Sequence, residues 1–185
     1  MLTPIKKDFR GLITISGPTK SGKSQLAEFL IKEQKSITYI ATSIPRDNDP
    51  EWQERVKLHK KRRPDDWKLL EYPLDICKAI QSIDKNESIL IDSLGGLVEQ
   101  FLMEKEDQWQ LFQTNFINCL TKSNSGIIVV YEEIGWGLVP ATPIGHLFRE
   151  RLSNISSILN QHSTKKWLSV HGTAIDLDKI GYSIP

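Results

Sequence analysis

Short runs of apolar, mostly β-branched residues alternate along the chain with longer segments in which apolar residues recur every three or four positions. The short runs predict strands and the longer segments predict helices. The predicted strands are residues 12–16, 37–41, 68–72, 88–92, 127–132 and 167–171. The predicted helices are residues 23–32, 52–61, 73–83, 94–103, 107–123 and 143–162. This alternation is typical of an α/β fold.

Two of the predicted strands are apolar without alternation at their centres, residues 89–91 and 127–130. Such strands fit the middle of a sheet whose two faces are both covered by helices. Residues 174–177 are a candidate for a last edge strand, which forms a hairpin with the strand at 167–171. With 185 residues, the chain is expected to form one nucleotide-binding domain, residues 1–185, in which residues 1–10 are an N-terminal extension.

The most specific motif in the chain lies between the first predicted strand and the first predicted helix. Residues 17–24 read Gly-Pro-Thr-Lys-Ser-Gly-Lys-Ser, a complete G-x-x-x-x-G-K-S phosphate loop in its required strand–loop–helix context. The predicted nucleotide-binding residues are Gly17, Pro18, Thr19, Lys20, Ser21, Gly22, Lys23 and Ser24. They indicate that the chain binds a nucleoside triphosphate.

The residue types of this loop explain its chemistry. Gly17 and Gly22 allow the backbone to curl, so that its N–H groups point at a polyphosphate. The following helix directs the positive end of its dipole at the same anion. Lys23 supplies a positive charge for the β- and γ-phosphate oxygens, which makes it a predicted catalytic residue, and Ser24 offers a hydroxyl to Mg²⁺.

Carboxylates follow two other predicted strands. Asp92 ends the strand at 88–92 and is the predicted second ligand of Mg²⁺. Its alternative role is the N-cap of the next helix, for which Ser93 competes. Glu132 and Glu133 lie at the end of the strand at 127–132. In one interpretation they position a substrate hydroxyl or the metal, and in the other they form a solvated strand end. No Asn-Lys-x-Asp sequence is present, so any selection of guanine needs another device.

Composition narrows the classes of partner. The formal net charge is +1, which predicts no general attraction to nucleic acid or to an anionic membrane. No apolar run approaches the length of a membrane span, and no secretory signal follows the N-terminus, so a cytoplasmic location is expected. Cys77 and Cys119 fit no metal or redox spacing and are expected to pack in apolar faces of helices.

The most basic stretch of the chain, residues 55–63, contains one histidine, His59. A solvated helix face is one interpretation. Binding of nucleic acid is a second, although the stretch lacks interleaved aromatic residues. In a third interpretation, the cations hold a transferring phosphoryl or nucleotidyl group while the imidazole attacks it. Neighbouring cations disfavour a protonated imidazole, which keeps His59 nucleophilic at neutral pH.

The order of the short motifs resembles the adenosylcobinamide kinase / adenosylcobinamide-phosphate guanylyltransferase family of cobalamin biosynthesis. After the phosphate loop come Tyr-Ile-Ala-Thr-Ser at 39–43 and Arg-x-x-x-His-x-x-x-Arg-Pro-x-x-Trp at 55–67. Asp-Ser-Leu at 92–94, Glu-Ile-Gly-Trp-Gly-Leu-Val-Pro at 133–140 and Phe-Arg-Glu at 148–150 follow. The resemblance implies a mostly parallel, RecA-like phosphate-loop sheet flanked by helices, and a homotrimer.

The resemblance also implies two reactions. The first moves the γ-phosphate of ATP or GTP to the aminopropanol hydroxyl of adenosylcobinamide. In the second, a histidine attacks the α-phosphate of GTP, holds GMP covalently and passes it to the cobinamide phosphate, which yields adenosylcobinamide-GDP. By this resemblance His59 is the guanylylated histidine. The family's other nucleotide-contacting residues correspond to Ala41, Thr42, Ser43, Lys60, Lys61, Arg62, Arg63, Glu71 and Asp92.

Three segments depart from the family pattern. Residues 153–157 read Ser-Asn-Ile-Ser-Ser where Gly-Arg-x-Asn-Gln is common, and residues 164–167 read Thr-Lys-Lys-Trp in place of Ala-Asp-x-Val. Residues 132–135 read Glu-Glu-Ile-Gly, so that one amide of Asn-Glu-Val-Gly becomes a carboxylate. None of these changes touches the phosphate loop or His59. Two alternatives remain at this point, a phosphate-loop kinase of a small alcohol with a single activity and a non-catalytic nucleotide switch.

Overall fold

The computed structural model describes residues 2–182 and Ile184, except for the side chain of Arg55. Met1, which begins the predicted N-terminal extension, lies outside the described residues. The strands are β1 Gly11–Gly17, β2 Ile37–Ala41, β3 Lys68–Glu71, β4 Ser88–Asp92, β5 Gly126–Glu132, β6 Lys165–Val170 and β7 Thr173–Asp176. The helices are α1 Lys23–Ile31, α2 Pro50–Arg62, α3 Ile76–Ser82, α4 Leu94–Gln100, α5 Glu106–Lys122, α6 Pro143–His162 and α7 Leu177–Ile180.

The seven strands form one sheet in the order β3-β2-β4-β5-β1-β6-β7. Every neighbouring pair is parallel except β6 and β7, which form the antiparallel edge hairpin. The predicted fold class, a mostly parallel phosphate-loop sheet with a C-terminal edge hairpin, is therefore confirmed. Because parallel strands end at the same edge, the ends of β1, β2, β4 and β5 converge there.

Helices bury both faces of this sheet. On one face, α1 packs its apolar side, including Leu26 and Leu30, against central strand residues such as Ile128. On the other face, α4, α5 and α6 pack against Ile91 and Val129. The central strands β4 and β5 are buried along almost their whole length, which explains why they carry no alternation of polar and apolar residues.

Side-chain caps account for the beginnings of α2 and α3, which both differ from the predicted ones. Asp49 accepts a hydrogen bond from the backbone N–H of Trp52 (3.0 Å), so α2 begins at Pro50 and not at residue 52. Asp75 accepts one from Lys78 N–H (3.0 Å), so α3 begins at Ile76 and not at residue 73. The prediction of a helix to residue 103 was wrong, because α4 ends at Gln100.

Two other predictions concern side chains away from the sheet edge. The half-buried Cys77 and Cys119 pack against the core beneath α3 and α5, as expected, and both thiols are free. His171, predicted to end a strand, lies in the turn of the β6–β7 hairpin with a φ of 49°. Among the described residues, every helix is too short or too polar to cross a bilayer.

Candidate functional site: the phosphate loop and the end of α2

The phosphate loop leaves β1 and enters α1 through two glycines with positive φ angles. These angles are 154° at Gly17 and 98° at Gly22, a region that L side chains rarely adopt. Gly22 is the N-cap of α1, and no side chain caps the helix. The ammonium group of the buried Lys23 donates to the carbonyl oxygen of Pro18 (2.9 Å), which places its charge across the loop. The predicted loop therefore has the backbone and the charge that a polyphosphate requires.

The β6–β7 hairpin supports this loop from behind, which sequence reasoning missed. The carbonyl oxygen of Ser21 accepts hydrogen bonds from the Ser169 hydroxyl (2.9 Å) and from the backbone N–H of Gly172 (3.2 Å). The hydroxyl oxygen of Ser21 is buried and has no hydrogen-bond partner among the described residues. No local pattern marks Ser169, because its partner lies 148 residues away in the chain.

Replacing Gly17 with alanine is expected to destabilise the protein and to weaken nucleotide binding. A Cβ at Gly17 would overlap the carbonyl oxygen of Ser169, and backbone atoms cannot move aside cheaply. We expect a loss of about 1–3 kcal/mol in the free energy of unfolding, measured in urea. Gly137→Ala is the matched control, because the nearest atom to its Cβ would be the carbonyl oxygen of Ile134 at 3.8 Å. Equal stability of the two variants would contradict this packing.

Asp92 lies at the end of β4, next to the end of β2. The hydroxyl of Tyr39 donates to its Oδ2 atom (2.8 Å), and Nδ1 of His59 lies 3.9 Å from the same oxygen. The N-cap residue of α4 is Ser93, so the alternative in which Asp92 caps this helix was wrong. The carboxylate instead faces the C-terminal end of α2, where the candidate nucleophile lies.

Three contacts fix that end of α2 to the rest of the site. Arg62 makes an ion pair with Glu28 of α1 (3.2 Å), and its Nη2 lies 3.2 Å from Nδ1 of His59. The guanidinium of Arg63 lies 4.2 Å above the ring of Tyr39, a cation–π distance. Lys60 makes an ion pair with Glu71 at the end of β3 (3.1 Å), which joins two predicted nucleotide-contacting residues.

Two of the residues that were predicted to contact the nucleotide have side chains that face elsewhere. Lys61 lines a shallow cleft of about 460 Å³ on α2, beside Trp52 and Val56. Thr42 is fully buried between Ala41 and the exposed Ser43. The hydroxyl of Thr42 donates to the carbonyl oxygen of Ser93 (2.5 Å) and accepts a hydrogen bond from the backbone N–H of Ser93 (2.9 Å). This hydroxyl is thus occupied in joining β2 to α4.

Glu132 lies beside the first glycine of the loop, since it pairs with Gly17 across β5 and β1. Its Oε1 accepts from the Ser93 hydroxyl (2.7 Å), while its Oε2 is buried without a hydrogen-bond partner among the described residues. Burial raises the pKa of Glu132, and the charge of Asp92 raises it further, against the lowering effects of the Ser93 hydroxyl and of Lys23. The carboxylate that replaces the family's amide is therefore disfavoured in its ionised form.

Glu132→Gln is expected to stabilise the protein more at pH 8 than at pH 5. With a raised pKa, the folded state binds the proton more tightly than the unfolded state, so Glu132 destabilises the fold as pH rises above its unfolded pKa. Each unit of pKa elevation corresponds to about 1.4 kcal/mol above both pKa values. Urea unfolding of both proteins at the two pH values measures the difference. The exposed Glu33→Gln is the control, and an equal effect of E132Q at both pH values would contradict the burial argument.

The donors around the loop suit Mg²⁺. This ion usually binds through one or two carboxylates, waters and substrate phosphates, and not in a cage made by protein alone. Asp92 offers a carboxylate at the end of β4, and Ser24 offers a hydroxyl in the first turn of α1. Within residues 2–182 and Ile184, no group of three or more His, Cys, Asp or Glu side chains is placed to hold a metal. Ser24 and Asp92 therefore fit a metal that arrives with a nucleotide.

The loop, its helix and the parallel sheet define a phosphate-loop nucleotide-binding protein. The chain belongs to the cobinamide kinase / cobinamide phosphate guanyltransferase family, CobU, whose sequence model matches residues 13–177. The expected family resemblance is thus confirmed, and so is the prediction that the chain is a transferase.

Individual relatives agree with this membership over almost their full length. The bifunctional adenosylcobalamin biosynthesis protein CobU of Escherichia coli (strain K12) is 26% identical over 182 residues, which cover 90% of this chain and 99% of that protein. Its counterpart CobP of Pseudomonas aeruginosa is 28% identical over 166 residues, which cover 88% and 95%. A solved structure from Pyrococcus horikoshii OT3 is similar in fold, with a TM-score of 0.55 at 11% identity, and covers 96% of this chain and 93% of that one.

Proposed function

We propose that the chain catalyses two successive transfers at one phosphate loop. In the first, the aminopropanol hydroxyl of adenosylcobinamide forms a bond to the γ-phosphorus of ATP or GTP, and nucleoside diphosphate leaves. In the second, a nitrogen of His59 forms a bond to the α-phosphorus of GTP, and pyrophosphate leaves. An oxygen of the cobinamide phosphate then displaces the histidine, which yields adenosylcobinamide-GDP and restores the imidazole.

The observation that carries this proposal is the 3.9 Å separation between His59 Nδ1 and Asp92 Oδ2. Asp92 ends β4, on the same edge of the sheet as the phosphate loop. The imidazole, on the last turn of α2, therefore lies at the edge of the sheet where the loop would hold a nucleotide. Splitting nucleotidyl transfer into two displacements also gives the enzyme an intermediate with an easily broken P–N bond.

The other residues hold and orient the nucleotide. Lys23 binds the β- and γ-phosphate oxygens, and Ser24 and Asp92 hold Mg²⁺, which neutralises developing charge on the phosphates when bound. Glu133 and Asp92 are the candidates for the base that accepts the proton of the cobinamide hydroxyl. The remaining nucleotide contacts are assigned to Ala41, Ser43, Lys60, Arg62, Arg63 and Glu71, and none is assigned to Thr42 and Lys61, which face elsewhere. We further propose one domain, a cytoplasmic location and a homotrimer, all by analogy with the family.

Labelled nucleotides test the two transfers separately. With γ-labelled ATP or GTP and Mg²⁺, label is expected on adenosylcobinamide. With α-labelled GTP, label is expected on the protein, stable in alkali, labile in acid and released to cobinamide phosphate. Transfer of γ-phosphate without protein label would identify a kinase with a single activity. Tight binding of GDP without any transfer would identify a nucleotide switch.

A further inference from the structure

A buried tyrosine joins the two halves of the candidate site. Tyr39 lies in the middle of β2, is 3% exposed and donates its hydroxyl to Asp92 Oδ2 across the sheet (2.8 Å). The hydroxyl of a tyrosine carries its proton at neutral pH and is therefore the donor in this hydrogen bond. The tyrosine therefore holds one oxygen of the carboxylate in a fixed place.

The same tyrosine supports the end of α2. Arg63, the residue after the last turn, lies over its ring with the guanidinium carbon 4.2 Å from the ring centroid. One guanidinium nitrogen of Arg63, Nη1, is buried without a hydrogen-bond partner among the described residues. The aromatic face thus contributes to holding this cation, which lies four residues after His59. Tyr39 contacts both the carboxylate in front of the histidine and the guanidinium of Arg63 at the end of the helix that carries it.

The imidazole of His59 has two groups at its Nδ1 edge. Arg62 Nη2 lies at 3.2 Å and Asp92 Oδ2 at 3.9 Å. Because a guanidinium only donates, the contact with Arg62 requires that Nδ1 accepts and that Nε2 carries the proton. A contact with the carboxylate requires the proton on Nδ1, which leaves the lone pair of Nε2 available for attack. The position of the carboxylate oxygen, which Tyr39 holds, thus determines whether the proton of His59 is on Nδ1 or on Nε2.

We propose that Tyr39 is a positioning residue for His59, because its hydroxyl directs Asp92 toward the imidazole and its ring supports Arg63. This inference rests on the proposed guanylyl transfer through His59. Phosphoryl transfer needs no imidazole, and Asp92 keeps its carboxylate for the metal when the hydroxyl is lost, so the loss of the hydroxyl affects the second transfer far more than the first. The tyrosine touches neither nucleotide nor acceptor in this account and acts only through its neighbours.

Tyr39→Phe removes the hydroxyl and keeps the ring under Arg63. We expect the rate of protein labelling from α-labelled GTP to fall about tenfold with KM for GTP unchanged, as for loss of a supporting hydrogen bond at a reactive centre. Transfer from γ-labelled nucleotide is expected to stay within about threefold of wild type. Tyr131→Phe is the matched control, because it deletes another buried hydroxyl of the sheet, that of Tyr131 in β5, which accepts a hydrogen bond from Asn160 of α6 (2.8 Å).

A second measurement does not depend on turnover. Diethyl pyrocarbonate modifies accessible imidazoles, and peptide mass spectrometry reports each histidine separately. In the nucleotide-free protein, Y39F is expected to be modified about threefold more slowly at His59, since a loosened carboxylate leaves Nδ1 accepting from Arg62 and the proton on Nε2. The exposed His146 serves as the internal reference, and its rate is expected to be unchanged. Thermal unfolding of Y39F and Y131F shows whether either variant is globally destabilised.

The outcomes separate this inference from the proposed function. Wild-type levels of labelling and of His59 modification in Y39F would overturn the positioning role. An equal fall of both transfers would also overturn it, because Tyr39 would then act through the metal site and not through His59. If wild-type protein forms no covalent GMP, the proposed function fails, while the modification rates still report whether Tyr39 holds the histidine.

Discussion

His59→Ala is expected to abolish covalent labelling by α-labelled GTP, by about 10³-fold or more, because the nucleophile is gone. Phosphoryl transfer from γ-labelled ATP or GTP is expected to stay within about threefold of wild type, since that transfer forms no bond to the enzyme. The alanine also removes the neighbour of Arg62, which keeps its ion pair with Glu28, so α2 remains attached to α1.

The control for this experiment is His146→Ala, on the exposed side of α6. It should be labelled at the wild-type rate. Persistent labelling of H59A would move the covalent site to another residue. A parallel loss of phosphoryl transfer would show instead that His59 serves both steps, for example by binding the phosphates.

Lys23→Ala has the second large expected effect, a loss of both transfers together. The ammonium of Lys23 lies within the curl of the loop, 2.9 Å from the Pro18 carbonyl oxygen, and we propose that it neutralises the β- and γ-phosphates there. Removing a preorganised charge of this kind typically costs about 10²–10³-fold in rate. Both activities are expected to fall by this order, because one loop grips the nucleotide in both reactions. Rates with γ-labelled and α-labelled GTP measure them in parallel.

Lys35→Ala removes an exposed lysine just after α1 and serves as the control. It should retain both activities. If K23A lost phosphoryl transfer but was still labelled by α-labelled GTP at the wild-type rate, the two reactions would use different nucleotide sites. The central idea of one shared loop would then be wrong.

Local signals in the sequence predict the loop and the strands because their causes are local. The glycines at 17 and 22, the apolar runs of β4 and β5 and the terminal Asp92 can each be identified within a few residues. The beginnings of α2 and α3 were misplaced, although Asp49 and Asp75 are ordinary N-cap residues that mark them. The N-cap signals were thus present in the sequence, but the predicted beginning of α2 was too late and that of α3 was too early.

The supporting contacts of the site have no local signal. Tyr39 reaches Asp92 across 53 residues, and Arg62 reaches Glu28 across 34. Such partners are fixed by the order of strands in the sheet, which brings β2 beside β4 and α1 beneath the end of α2. A pattern within one segment cannot reveal them. They emerge only when the strand order and the register are known.

One departure from the family pattern is compensated within the fold. Lys165 and Lys166 stand at the entrance of β6, where the family often has an acidic residue. Lys165 pairs with Asp176 (3.0 Å), and Lys166 pairs with Asp178 (2.7 Å), so the added positive charge meets acidic partners of β7 and α7. The hairpin that supports the phosphate loop is thereby retained with altered charge.

Mapping of the covalent nucleotide tests the account most directly. The wild-type protein, incubated with GTP and Mg²⁺, is digested at alkaline pH, where a P–N bond survives, and its peptides are sequenced by mass spectrometry. GMP is expected on His59 alone, in the peptide that contains the end of α2. GMP on any other residue, or its absence from a protein that still transfers γ-phosphate, would contradict this expectation.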